Sequence, residues 1–144
     1  MSAQNSAEKT SQRQLRVVII QLGRTSDVLQ SLMSLRAAKQ LYPHLQFHMV
    51  VREKFSDAAK KVVWLDGVTL LPNTTVFSAP LREENLKSLS AWLLPLTQKP
   101  WDLIINWTFS ETSSYLTALL PGFIKTGYSR RDDGSLSAID GWSH

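Results

Sequence analysis

A single carboxylate, Asp27, stands where an apolar run gives way to helical spacing. The segment Gln21-Leu22-Gly23-Arg24-Thr25-Ser26-Asp27-Val28 follows Arg16-Val17-Val18-Ile19-Ile20 and precedes apolar residues at Val28, Leu29, Leu32, Leu35 and Ala38. Spacings of three and four place those side chains on one helix face. A strand that turns directly into a helix leaves backbone N–H groups unpaired, and Thr25, Ser26 and Asp27 are residue types that satisfy them. Asp27 thus fits a capping or first-turn acid favoured by the helix dipole. It also fits a general base at a strand-end cleft, taking a proton from a substrate hydroxyl. The residues alone leave both roles open.

A second polar stretch, Asn106-Trp107-Thr108-Phe109-Ser110-Glu111, mixes hydroxyls, an amide and aromatic rings. Such a mixture suits a sugar, which binds by hydrogen bonds and aromatic stacking. Ser110 equally suits the cap of a following helix, with Glu111 in its first turn. Arg52 can reach an anionic ligand or sit in an exposed Arg52-Glu53-Lys54 cluster. His44, His48 and His144 have no ligand spacing, so no metal is expected. Gly23 is the only glycine of the first turn, which excludes the G-x-G-x-x-G dinucleotide fingerprint, and no Gly-Lys-Ser/Thr marks a P-loop. No cofactor is expected.

Positioning these groups requires alternating strands and helices. The pattern predicts strands over Arg16–Leu22, Gln46–Val51, Val68–Leu71, Trp101–Trp107 and Phe123–Tyr128. Helices are predicted over Asp27–Leu41, Phe55–Trp64, Leu81–Leu96 and Ser110–Leu120, with a loop at Asn73–Pro80. Tyr42-Pro43 stops the first helix, and Pro95 ends or kinks the third. The fourth strand is apolar at nearly every position, as in a parallel strand buried on both faces. This alternation is that of an α/β, Rossmann-like, doubly wound parallel sheet of about five strands, order 3-2-1-4-5. Ligands of such sheets bind at the switch point, here between strands 1 and 4.

The 144 residues, 43% apolar and 19% charged, are enough for one domain with a core, and there is no cysteine to form a disulfide or thiolate site. Residues 1–14 are polar, lack the apolar stretch of a secretory signal and read as a disordered leader. Residues 15–130 form the domain, and 131–144 a polar tail or the start of a linker. The net charge of +4 is scattered, with no basic patch interleaved with aromatics, so no nucleic-acid partner is expected.

Five pieces in order, over about residues 15–130, resemble the bacterial heptosyltransferases of glycosyltransferase family 9. They are Val17 to Leu32, with its Asp27-Val28 pair; Leu35-Arg36-Ala37-Ala38-Lys39-Gln40-Leu41-Tyr42-Pro43; Val50 to Phe55; Trp101-Asp102-Leu103-Ile104-Ile105-Asn106; and Lys125-Thr126-Gly127-Tyr128. The resemblance implies one half of a GT-B fold, the acceptor-side domain, with the nucleotide-sugar donor held by a second domain that this chain lacks. It implies that Asp27 is the general base, that Gly23, Thr25 and Ser26 shape its turn, and that Arg52, Asn106 and Ser110 line the acceptor cleft. The implied acceptor is a glycolipid or carbohydrate of the lipopolysaccharide core, and the donor a nucleotide-heptose. The implied location is the cytoplasm, with peripheral contact at the inner membrane. Ser26 departs from the glycine the family commonly has before its Asp. Without donor-side groups to stabilise the leaving diphosphate, the chain is expected to be inactive alone. The alternative is a non-catalytic carbohydrate- or partner-binding domain; a small nucleotide-binding module fits less well, for want of the glycine fingerprint.

Overall fold

A computed structural model describes residues 12–72 and 83–139. Its elements are β1 (Leu15–Gln21), α1 (Thr25–Leu41), β2 (Leu45–Arg52), α2 (Asp57–Lys60), β3 (Gly67–Leu71), α3 (Glu83–Thr97), β4 (Trp101–Asn106), α4 (Glu111–Leu119), β5 (Gly122–Arg130) and β6 (Leu136–Ala138). The sheet order is β3-β2-β1-β4-β5-β6, parallel through β5. Ile20 of β1 lies opposite both Val50 of β2 and Asn106 of β4, so the carboxyl ends of these strands form a common rim.

Alternation along β1 sends Val18 and Ile20 to one face and Val17 and Ile19 to the other. The first pair packs with Leu96 of α3 and with Leu116 and Leu120 around α4. The second packs with Val28, Leu32 and Leu35 of α1 and Ala59 of α2. All four of these strand residues are buried, which is why β1 reads as a continuous β-branched run rather than an alternating one.

The structure departs from the sequence expectations in four places. A sixth strand, β6, turns back antiparallel on β5, inside the stretch read as a polar tail. The second helix shrinks to Asp57–Lys60 after a 3-10 turn at Glu53–Phe55. Lys61 and Val62 close onto the carbonyls of Ala58 and Ala59 instead, leaving Val63 97% exposed. Adjacent β-branched residues lose side-chain freedom in a helix, so Val62 and Val63 are poor candidates to extend it. Pro95 does not end α3, which continues to Thr97, whose hydroxyl donates to the Leu93 carbonyl at 3.2 Å in the turn that holds the proline. Finally, Leu103 and Ile105 of β4 are only half buried, because α1 and α2 pack on the β1–β2–β3 side and leave β4 open on that face. The expected leader up to residue 11 and the loop Asn73–Pro80 lie outside the described residues.

Candidate functional site

At the β1–α1 turn, Arg24 is the N-cap of α1 and Asp27 its third residue. The Arg24 N–H donates to Asp27 Oδ2 at 2.8 Å, so the carboxylate holds one unpaired N–H of the helix start. Thr25 and Ser26 are exposed in that first turn, and neither hydroxyl has a hydrogen-bond partner among the described residues. The capping role predicted for the three residues therefore falls on Asp27 alone. Gly23 is set by the same carboxylate. A Cβ there would lie 2.5 Å from Asp27 Oδ2 and 2.8 Å from its Cβ.

Beneath the turn runs a chain of buried polar groups. Gln21, 6% exposed, accepts the Gly23 N–H at 3.0 Å and the Thr108 hydroxyl at 3.2 Å. Its amide donates to Ser31 Oγ at 2.8 Å, and Ser31 donates onward to the Asp27 carbonyl at 2.8 Å. Thr108 Oγ1 accepts the Leu22 N–H at 2.8 Å, and the Thr108 N–H donates to Asn106 Oδ1 at 2.9 Å. Asn106, fully buried, donates through Nδ2 to the Tyr128 carbonyl at 2.8 Å. Each strand end at the switch point is thereby tied to its neighbour, and none of these amides is left unpaired in the interior. Gly127 makes the tie possible: its φ is +94°, and a Cβ there would meet the Asn106 carbonyl oxygen at 1.9 Å.

These elements enclose a cleft of about 480 Å³. Gly23 and Asp27 line it from the turn, Gln30, Ser31 and Ser34 from α1, and Trp107, Thr108 and Phe109 from the end of β4. Trp107 is 41% and Phe109 68% exposed, presenting aromatic surface on the wall formed by the β4 end. Phe109 is held edge-on against Tyr128, with ring centroids 5.0 Å apart. The arrangement offers one carboxylate, amides, hydroxyls and aromatic faces in one concavity, a chemistry suited to a polyhydroxylated ligand.

Of the residues expected from the sequence, the structure brings Gly23 and Asp27 into this cleft. Thr25, Ser26, Arg52, Asn106 and Ser110 lie outside its lining. Arg52 donates from Nε to the Leu22 carbonyl at 2.9 Å, bracing the β1 end against β2. Ser110 caps α4, accepting the Ser113 N–H at 3.2 Å. Gln21, Gln30 and Ser34 were missed. Gln30 and Ser34 follow Asp27 at spacings of three and seven, on its own helix face, and that periodicity is the signal that identifies them. Gln21 is a polar residue closing an apolar strand, and such a residue, once buried, needs partners.

No protein-family model matches the sequence, and no curated protein matches it. The structure is similar to that of E. coli heptosyltransferase WaaC, solved with ADP-2-deoxy-2-fluoro heptose and with ADP. The TM-score is 0.68 at 24% identity, over 78% of this chain and 36% of that one. It is also similar to a family 9 glycosyl transferase from Veillonella parvula, with a TM-score of 0.65 and 20% identity, over 81% of this chain and 33% of that one. The chain spans about a third of the length of the structures it matches. At these identities the likeness is one of fold, a Rossmann-like sheet shared with glycosyltransferases of the GT-B fold.

Proposed function

We propose that this chain is the acceptor-side domain of a glycosyltransferase, with Asp27 as its general base. One observation carries the reading: in a fold shared with heptosyltransferases, Asp27 lines a polar cleft at the switch point of the sheet. Its Oδ2 is held by the Arg24 N–H, which leaves Oδ1 for a substrate hydroxyl. In the reaction, Asp27 takes the hydroxyl proton as the acceptor oxygen attacks the anomeric carbon. The bond from that carbon to the nucleoside diphosphate breaks, and the sugar inverts. Gln30, Ser34 and the aromatic wall orient the acceptor. The donor is a nucleotide-heptose bound by a second domain, and the acceptor is a lipopolysaccharide core glycolipid met at the cytoplasmic face of the inner membrane. No described helix is long and apolar enough to cross a membrane; the contact proposed there is peripheral.

The 144-residue chain should bind a deacylated core oligosaccharide, with amide shifts in its NMR spectrum at Gly23, Asp27 and Gln30, and should not transfer heptose by itself. In an enzyme completed by its donor domain, Asp27→Asn should lower kcat by about 10²–10⁴-fold with acceptor binding kept. Transfer by the chain alone would overturn the half-site reading. An unchanged kcat in Asp27→Asn would overturn Asp27 as the general base.

A further inference from the structure

A second and larger concavity, about 690 Å³, lies on the face of the sheet that α1 and α2 leave open. Its floor is Leu103 and Ile105 of β4, and Ala38 and Tyr42 at the end of α1 and Phe123 and Ile124 of β5 add to its lining. Phe123 and Ile124 are 72% and 62% exposed, which for adjacent large apolar residues marks a surface that something covers. At the amino end of β4 the groove closes on Arg13 and Asp102, already paired at 2.8 Å. At the carboxyl end it meets the polar cleft, because Ser34 and Trp107 line both. The two concavities therefore adjoin at Ser34 and Trp107, one lined by a carboxylate, amides and hydroxyls and the other mostly by apolar side chains.

We infer that this groove holds the alkyl chain of an amphiphile whose polar head lies in the Asp27 cleft. The inference rests on the transferase reading only for the identity of that head. From Asp102 to Trp107 the lining spans five residue steps, about 17 Å at ~3.3 Å per residue. An extended alkyl chain, with ~1.5 Å bonds at ~111°, advances about 1.25 Å per carbon, so the groove takes about 12–14 carbons. The floor offers no charge to the chain, and the one ion pair stands at its far end, where a chain of that length terminates. A glycolipid presents that order of groups, polar head first and an apolar chain behind it.

Calorimetric titration of the 144-residue chain with octyl, decyl and dodecyl maltoside, each below its micelle threshold, tests the inference. Affinity should rise about twofold to fourfold per added methylene, the range for half to full burial. Ile124→Glu, at an exposed site that leaves the core intact, should flatten that series with the thermal midpoint retained. Amide shifts should map to Ile105, Ile124 and Tyr42. Gln30→Ala should weaken all three ligands by the same factor and leave the increment per methylene unchanged. Three results overturn the inference: affinity independent of chain length, a length dependence indifferent to Ile124→Glu, or a dimer in light scattering that Ile124→Glu dissociates, since a second copy then covers the groove. Equal affinity for alkylphosphocholines of the same chain lengths counts against the transferase reading and leaves the groove assignment standing.

Discussion

Gly23→Ala is the sharpest test of how the turn is built. The added methyl would stand 2.5 Å from Asp27 Oδ2, 2.8 Å from Asp27 Cβ and 2.9 Å from Asp27 Cγ. Carbon atoms not bonded to one another rest at about 3.5–4.0 Å, so the carboxylate cannot keep its place above Arg24. Rotating the carboxylate away relieves the oxygen but not the Cβ contact, which requires the backbone to shift. The cost has two parts: about 1 kcal/mol for the lost cap and about 1–2 kcal/mol for the crowding. A total of about 2–3 kcal/mol corresponds to a fall of about 6–12 °C in thermal midpoint for a domain of this size. Thermal and denaturant unfolding of the single variants and of Gly23→Ala with Asp27→Gly, which removes the opposing Cβ, form a double-mutant cycle. Nearly all of the Gly23→Ala cost should vanish in the Asp27→Gly background, which has neither the cap nor the opposing Cβ, an interaction energy of about 2–3 kcal/mol. If the full cost persists there, or if Gly23→Ala is neutral, the glycine does not serve the carboxylate and the account of the turn is wrong.

Three further outcomes are expected. Gln21→Leu preserves shape but strands the Gly23 N–H and the Thr108 O–H and removes the donor to Ser31 Oγ, and should cost about 2–3 kcal/mol in urea unfolding; a neutral result would show that the network adds nothing to stability. Gly127→Ala forces a left-handed residue onto the Asn106 carbonyl, so a loss of about 3–4 kcal/mol or failure to fold is expected, read by circular dichroism. His48 has its pKa lowered by burial, reinforced by the Arg16 charge and partly opposed by Asp66. A folded pKa below the unfolded value means the unfolded chain binds more protons. The contribution of His48 is therefore whole above about pH 6.5 and declines as pH falls from there toward the folded pKa, by at most about 1.4 kcal/mol per unit. Chemical denaturation between pH 5 and about pH 8 should show this decline, and His48→Gln should lessen it; identical pH profiles would remove His48 as the cause.

Much of the framework is legible in the residues. Four strand–helix alternations, the β-branched run at Val17–Ile20 and the near-continuous apolar strand at Trp101–Asn106 specify a parallel sheet, because helices must cover such strands and crossovers are right-handed. The same pattern puts the β1–α1 turn at the switch point and so makes Asp27 conspicuous. Local signals fail where a residue's task is set by a neighbour distant in sequence. Asn106 looks like a cleft residue by its position, yet its partners are Thr108 and Tyr128, and it is fully buried. Arg52 looks like an anion contact, yet its Nε is bound to the Leu22 carbonyl thirty residues earlier.

The sequence by itself determined the order of elements, the strand that carries the turn and the chemical identity of the carboxylate there. Periodicity and capping act between residues a few positions apart, and those distances are written in the chain. Tertiary structure alone decided which polar groups face the cleft, why Gly23 must lack a side chain, and that β4 is open on one face. Each of those depends on strands and helices meeting across tens of residues, where hydrogen-bond satisfaction and close packing choose among roles that the same side chain can fill equally well in sequence.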